Sequence, residues 1–256
     1  MIANVKRKYN QISRTKFGEH GYSKLWYVDN VNKVCITFSP RGGCSVAFKQ
    51  YLDLVGLLED GEAYRPFVHK RPFVHQYRLD IFNKHVRNIP IERLINQNYT
   101  FIKFIMNPYL RAVSIFWHAK RYNTTDNDVS FRQYLHMRLS PAQKLRSIAE
   151  KQHSRQQYIP GEKKVITKYV KISDNESYSI ILKNGEQYEF NTNQFSSGHH
   201  AKKYPCTEFC GDVPRSIICK QLPNNYKWFY DEEIRGMVER LYRQDINKYG
   251  FKFFDE

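Results

Sequence analysis

Two segments of this 256-residue chain change from strand spacing to helical spacing, and this repeated change limits the possible folds. Residues 33–39 form a short, β-rich apolar run that ends at Pro40-Arg41-Gly42-Gly43. Residues 99–106 form a second such run, which ends at Asn107-Pro108. Helical spacing follows each run. Two strand–loop–helix units of this kind predict an α/β fold with a parallel sheet flanked by helices.

The rest of the chain is predicted to complete a single domain. Residues 1–24 are basic and lack periodicity, which predicts a loosely ordered arm, and the domain is expected over residues 25–256. The first helix is expected to break at Glu59-Asp60-Gly61-Glu62. An Asn-Gly turn at residues 184–185 predicts a β-hairpin, and amphipathic spacing predicts a closing helix over residues 231–249.

The charge balance limits the partners. Lys and Arg total 41 against 25 Asp and Glu, so the formal charge is +16, which predicts attraction to polyanions such as nucleic acid, acidic glycans or phosphorylated ligands. No run approaches the roughly 18 apolar residues that a membrane span requires. No signal peptide is recognised. We therefore expect a soluble, cytoplasmic protein, and the odd number of cysteines argues against a disulfide framework.

The loop after the first strand has the residues of an anion site. Gly42 and Gly43 allow the backbone to curl, so that its N–H groups and the following helix N-terminus can face an anion. Arg41 adds a positive charge and Ser45 a hydroxyl group. The loop lacks the Gly-Lys-Ser/Thr of a Walker loop. The pattern predicts a phosphate or sulfate cradle, with an ordinary strand-to-helix turn as the alternative.

These residues also carry a resemblance to a known family. Pro40-Arg-Gly-Gly-Cys-Ser45 resembles the 5′-phosphosulfate loop of sulfotransferases that use 3′-phosphoadenosine 5′-phosphosulfate (PAPS). Residues 106–116 resemble the 3′-phosphate motif of that superfamily, and His153-Ser-Arg-Gln-Gln157 is similar to a segment of its membrane-type carbohydrate members, such as the chondroitin-like enzymes. The resemblance covers roughly residues 31–251. It implies a single P-loop-like sulfotransferase domain with a central parallel sheet flanked by helices.

The resemblance implies an activity and a set of cofactor residues. The chain would move the sulfuryl group of PAPS to a hydroxyl of a carbohydrate, including an anionic glycan, and would release PAP without a metal. Because a membrane anchor is not recognised, a bacterial, viral or truncated form is implied. Arg41 would stabilise the departing phosphate. The implied cofactor-binding residues are Arg41, Gly42, Gly43, Cys44, Ser45, Arg111 and Ser114.

A histidine is the implied general base. The segment from Phe73 to Asp80 resembles the one that carries the catalytic histidine in uronyl and heparan 2-O-sulfotransferases, which points to His75. Its duplicate in a short tandem repeat is His69, and Glu62 is a weaker alternative base. A surface loop histidine is the other interpretation of either position. The implied acceptor-binding residues are His69, Arg71, Arg78, His153 and Arg155.

Two departures from the family pattern leave alternatives open. Arg41 replaces the usual loop lysine, and Met106 replaces the arginine that opens the 3′-phosphate motif. Met106 offers no donor, which leaves Ser114, with Arg111 or a lysine at 202 or 203, to hold the 3′-phosphate. A PAP-binding pseudoenzyme, a basic nucleic-acid-binding protein and a nucleotide kinase are the alternatives. A zinc site at His199, His200, Cys206 and Cys210 is a further hypothesis, although its spacing fits no standard finger.

Overall fold

A computed structural model describes residues 11–17, 24–64, 74–119, 128–140, 153–172, 177–192, 195, 203–204, 207–218, 222–223 and 225–254. By their contacts, the residues divide into two compact units. Unit 1 comprises residues 1–39, 43–105 and 159–197, and unit 2 comprises residues 40–42, 106–158 and 198–256. Each unit has its own apolar core.

Six strands in the described part of unit 1 form one sheet, in the order β4-β1-β2-β3-β5-β6. Strands β3, β5 and β6 pair in parallel, as do β1 and β4, whereas β2 is antiparallel to both neighbours. The predicted α/β class is confirmed. The predicted parallel pairing holds for β3 and β5, the strands that precede the loops at residues 40–43 and 107–108. The strands are β1 Ile12–Phe17, β2 Lys24–Asp29, β3 Val34–Phe38, β4 Arg87–Asn88, β5 Thr100–Ile105 and β6 Lys168–Lys171.

Strand β1 lies inside the segment that the sequence predicts to be a loosely ordered arm. It pairs with β2 from Ile12 opposite Asp29 to Phe17 opposite Lys24. Ile12 and Ser13 are buried. Residues 12–17 differ from the prediction because they form a strand by pairing with β2. A mixed polar sequence can make such backbone pairing without an apolar pattern of its own.

Strand β3, in the middle of the sheet, is buried on both faces, towards which its successive side chains point in turn. Ile36 of β3 belongs to a core cluster with Phe48 on one face. The adjacent Cys35 belongs to a second cluster, which contains Leu94, on the other face. The helices of unit 1 are α1 Cys44–Leu54, α2 Leu58–Ala63, α3 Val74–Tyr77, α4 Asn83–His85 and α5 Ile91–Ile95, with a π-helical segment Arg78–Phe82 between α3 and α4.

Helix α2 occupies the place where the sequence predicts a break. Gly61 lies within α2 and is buried. A Cβ atom on Gly61 would lie 2.6 Å from Cδ1 of Leu52, so the missing side chain allows α2 to pack closely on α1. The glycine therefore serves helix packing here.

The predicted hairpin is confirmed. Strands β7 (Ser177–Ile181) and β8 (Gln187–Asn191) pair antiparallel, and Gly185 in their turn has a φ of +86°. The hydroxyl of Tyr188 donates to Oδ2 of Asp53 at 2.9 Å, which attaches the hairpin to α1.

Helices dominate the described part of unit 2. The predicted closing helix is present, but it is divided at Tyr242, whose φ of −121° and ψ of 27° are not helical. None of the described helices is long and apolar enough to cross a bilayer. The helices are α6 Pro108–Ala119, α7 Phe131–Leu139, α8 Arg215–Ile218, α9 Glu232–Leu241 and α10 Arg243–Tyr249; the short strands β9 Lys203–Tyr204 and β10 Leu222–Pro223 and a 3-10 turn, Tyr226–Phe229, lie among them.

Candidate functional site

Two residues that the sequence selects from separate motifs meet in unit 2. The Nη2 atom of Arg41 donates to Oγ of Ser114 at 2.8 Å, although the residues are 73 positions apart. Ser114 lies on α6, and Arg41 lies in the loop that follows β3. Both residues are partly exposed. The pair offers a positive charge and a hydroxyl group at one place, which suits an oxyanion.

The backbone of Arg41 is in the left-handed region, with a φ of +59°. This conformation costs a non-glycine residue roughly 1–2 kcal/mol, so surrounding contacts must hold it. One such contact involves Pro40, whose carbonyl accepts hydrogen bonds from Nε and Nη2 of Arg111, each at 3.3 Å. Arg111, one helical turn before Ser114 on α6, therefore holds the loop in the conformation that directs Arg41 towards Ser114.

Arg111, a predicted cofactor-binding residue, makes its hydrogen bonds to main-chain carbonyls. Its side chain is buried, and Nη2 also donates to the carbonyls of His153 at 2.8 Å and Arg155 at 2.6 Å. The buried guanidinium therefore binds main-chain carbonyls of two segments of unit 2. Arg111 thus contacts the loop that carries Arg41, and its predicted contact with a cofactor stays a prediction.

The first turn of α1 has the features of an anion-facing helix start. Gly43 is its N-cap, has a φ of +80° and is not assisted by a capping side chain. Helix N-termini leave backbone N–H groups unsatisfied and carry a partial positive charge. Cys44 and Ser45 open the helix and are partly exposed. A Cβ atom on Gly43 would lie 1.8 Å from Cδ1 of Ile172, so any other residue there would require Ile172 to move.

The structure places the predicted base and acceptor residues unevenly. His69 and Arg71 lie outside the described residues. His75 lies in α3, and its side chain is also outside the described part. Arg78 packs in unit 1, where its guanidinium carbon lies 5.7 Å from the ring centroid of Phe38.

Arg78 also acts on a buried phenol. Burial raises the pKa of Tyr27, and the charge of Arg78 and a hydrogen bond from it partly offset that rise. The same guanidinium lies 5.7 Å from the ring centroid of Phe48. Because these contacts lie at the core of unit 1, they give Arg78 a packing role in addition to its predicted acceptor role.

His153 and Arg155 are held through their backbones. Their carbonyls accept from Arg111, while the side chain of His153 is half-buried and that of Arg155 is exposed. The segment that contains them is therefore fixed, and an exposed cation extends from it.

Met106 is bound by its main chain. Its N–H donates to Oε1 of Gln157 at 2.9 Å, and its carbonyl accepts from Nε2 of Gln157 at 2.7 Å. Gln157 thus joins the start of the predicted 3′-phosphate motif to the end of the 153–157 segment. Lys202 lies outside the described residues, as does the side chain of Lys203.

The zinc hypothesis can be examined at one of its four residues. Cys210 is buried, and its Sγ donates to the carbonyl of Trp228 at 3.3 Å. His199, His200 and Cys206 lie outside the described residues. Within the described part of the chain, no group of three His, Cys, Asp or Glu residues could hold a metal ion.

Sequence reasoning missed two residues of this region in unit 2. Burial raises the pKa of Tyr226, and the positive charge of Arg41 opposes the rise, so the phenol lies within the electrostatic range of Arg41. Asp245 of α10 is buried, and its Oδ2 lies 3.8 Å from Nη1 of Arg111. Neither residue belongs to a recognisable motif, and only the tertiary fold brings them near α6.

No family model matches the chain, and comparisons with curated proteins and with solved structures gave no significant match.

Proposed function

We propose that this protein is a PAPS-dependent carbohydrate sulfotransferase with a P-loop-like α/β fold. The observation that supports the proposal best is the hydrogen bond between Arg41 and Ser114. The sequence assigns these residues to the 5′-phosphosulfate loop and the 3′-phosphate motif, two motifs that must serve one cofactor.

Each residue has a role that its surroundings permit. Arg41 would stabilise the negative charge that develops on the departing phosphate. Ser114 would exchange its hydrogen bond with Arg41 for one with the 3′-phosphate. The amides and hydroxyl of Gly42, Gly43, Cys44 and Ser45 remain the predicted donors to the 5′-phosphate.

The transfer itself needs in-line geometry and a base. The acceptor oxygen forms a bond to sulfur while the bond from sulfur to the bridging oxygen of PAPS breaks, and PAP leaves with that oxygen. His75 would take the proton of the acceptor hydroxyl. The acceptor side would use His69, Arg71, Arg78, His153 and Arg155, whose cationic members suit an anionic glycan.

A PAP-binding pseudoenzyme is the second candidate, and Met106 favours it. The thioether of Met106 supplies no donor for a phosphate, and its backbone groups are already bonded to Gln157. Such a protein would bind PAP and PAPS without turnover.

The first test is thermal stabilisation by PAP, with ATP, AMP and a short DNA duplex as comparison ligands at two salt concentrations. A ligand that binds only the folded protein adds about 2.7 kcal/mol at a hundredfold excess over its dissociation constant. We expect stabilisation of the wild type by PAP and its loss in Arg41→Ala. Arg240→Ala, which removes an exposed arginine of α9, is the matched control and should respond as the wild type does.

The remaining outcomes separate the candidates. Turnover of PAPS with a panel of glycans supports the enzyme, and PAP binding without turnover supports the pseudoenzyme. A wild type that PAP does not stabilise contradicts both. A salt-sensitive response to DNA that PAP does not affect would favour nucleic-acid binding instead.

A further inference from the structure

A single buried guanidinium in unit 2 contacts two segments that the proposed function uses separately. Arg111 donates to the carbonyl of Pro40, which precedes the cofactor-loop residue Arg41. It also donates to the carbonyls of His153 and Arg155, in the predicted acceptor segment. The two segments therefore depend on the position of one side chain.

Asp245 anchors this arrangement from α10. Its Oδ2 lies 3.8 Å from Nη1 of Arg111, and both side chains are almost fully buried. Its oxygens also accept from the N–H groups of Gln157 at 2.8 Å and Tyr158 at 2.7 Å. The carboxylate thus binds the same segment as Arg111, from its other end.

Chemistry explains why these two residue types occupy the positions. The planar guanidinium has five donors in a fixed fork, which a lysine ammonium cannot reproduce. The guanidinium carbon also lies 5.5 Å from the ring centroid of Tyr242. A buried cation with these contacts needs a buried anion nearby, and removal of either partner leaves an uncompensated charge.

We propose that Arg111 and Asp245 are a positioning pair that sets the place of Arg41 and of the 153–158 segment together, so that cofactor binding and acceptor binding are coupled. The inference rests on the proposed function. Arg111 lies three residues before Ser114 on α6, so these two side chains share one face of that helix. A shift of the pair would move Arg41 away from Ser114 without removing any ligand-binding side chain.

The test measures the dissociation constant of PAP by titration calorimetry for the wild type and Asp245→Asn, at a temperature where both are fully folded. We expect PAP to bind Asp245→Asn at least tenfold more weakly. Lys103→Met, which breaks a buried ion pair of unit 1, is the stability-matched control and should bind PAP as the wild type does. An unchanged PAP affinity in Asp245→Asn would overturn the inference.

A double variant covers the case in which Asp245→Asn does not fold. Arg111→Met with Asp245→Leu removes both buried charges, a replacement that proteins often tolerate. We expect the double variant to fold and to bind PAP as weakly as Asp245→Asn does. Wild-type affinity in the folded double variant would contradict the positioning role.

Hydrogen exchange separates failure of this inference from failure of the proposed function. Peptides that cover residues 40–43 and 153–158 should exchange at least tenfold faster in the double variant than in the wild type, and by a larger factor than in Lys103→Met. A wild type that does not bind PAP, combined with faster exchange in both peptides, overturns the proposed function alone. Unchanged exchange in either peptide overturns the positioning pair.

Discussion

Gly43 occupies a point of unit 1 where a side chain has no room. Its φ is +80°, and an added Cβ would lie 1.8 Å from Cδ1, 3.2 Å from Cγ1 and 3.5 Å from Cγ2 of Ile172. We therefore expect Gly43→Ala to destabilise the protein through two separate effects, backbone strain and steric overlap.

The left-handed conformation costs alanine roughly 1–2 kcal/mol. Overpacking of a well-filled site adds about 1–3 kcal/mol, because Ile172 must rotate or shift. The expected loss in the free energy of unfolding is therefore about 2–5 kcal/mol. Gly161 has a φ of +81° and no atom within 4 Å of an added Cβ, so Gly161→Ala should lose only the strain.

Urea unfolding followed by circular dichroism measures these losses. The difference between Gly43→Ala and Gly161→Ala isolates the overlap with Ile172. Ile172→Val removes Cδ1 at a cost of about 0.5–1.5 kcal/mol, and in combination with Gly43→Ala it should recover part of the loss. Equal losses in the two alanine variants would refute the close approach of Ile172 to Gly43 and, with it, the steric reason for glycine in the loop.

Two further predictions concern charged groups. Burial raises the pKa of Asp231, but hydrogen bonds from Arg132 and from the Ile234 N–H outweigh that effect and hold the pKa below its usual range. The ionised carboxylate therefore stabilises the fold above the usual aspartate pKa, and this stabilisation is lost as the pH falls through the lowered pKa. The melting temperature of Asp231→Asn, which keeps an N-cap acceptor, should therefore fall less than that of the wild type between neutral pH and about pH 3. Asp231→Ala, which also lacks the N-cap acceptor, should lose about 1 kcal/mol of unfolding free energy at neutral pH. Equal falls in melting temperature for the wild type and Asp231→Asn would contradict this prediction. Lys103 and Glu162 form a fully buried ion pair. Lys103→Met leaves the Glu162 charge without its partner and should lose about 3–5 kcal/mol of unfolding free energy, measured in urea, whereas Lys103→Met with Glu162→Leu should lose less. A double variant that is less stable than Lys103→Met would contradict this prediction.

The short-range elements follow from the sequence because their causes are local. The β-rich apolar composition of each run and the proline after it predict β3, β5 and the start of α6 to within a residue or two. The Asn-Gly turn predicts the hairpin, since Gly185 takes the positive φ that such turns require. Strand β1 was not predicted, because the order of residues 12–17 depends on a partner strand and not on their own composition.

The candidate site likewise contains residues that the sequence predicts and one whose surroundings it does not. Motif spacing selects Arg41 and Ser114, and their contact is what a shared site predicts. The burial of Arg111 was not predictable, because its partners are main-chain carbonyls of Pro40, His153 and Arg155, and any residue type supplies a carbonyl.

The sequence by itself determined the α/β class, the two strand–loop–helix units and the basic charge, since each depends on residue types and their spacing along the chain. Tertiary structure decided the order of parallel and antiparallel strands in the sheet. It also decided which atoms lie close to Gly43 and Gly61, and it placed Asp245 beside Arg111. These features depend on distances between residues far apart in the chain. Burial and close packing set those distances, and no local pattern records them.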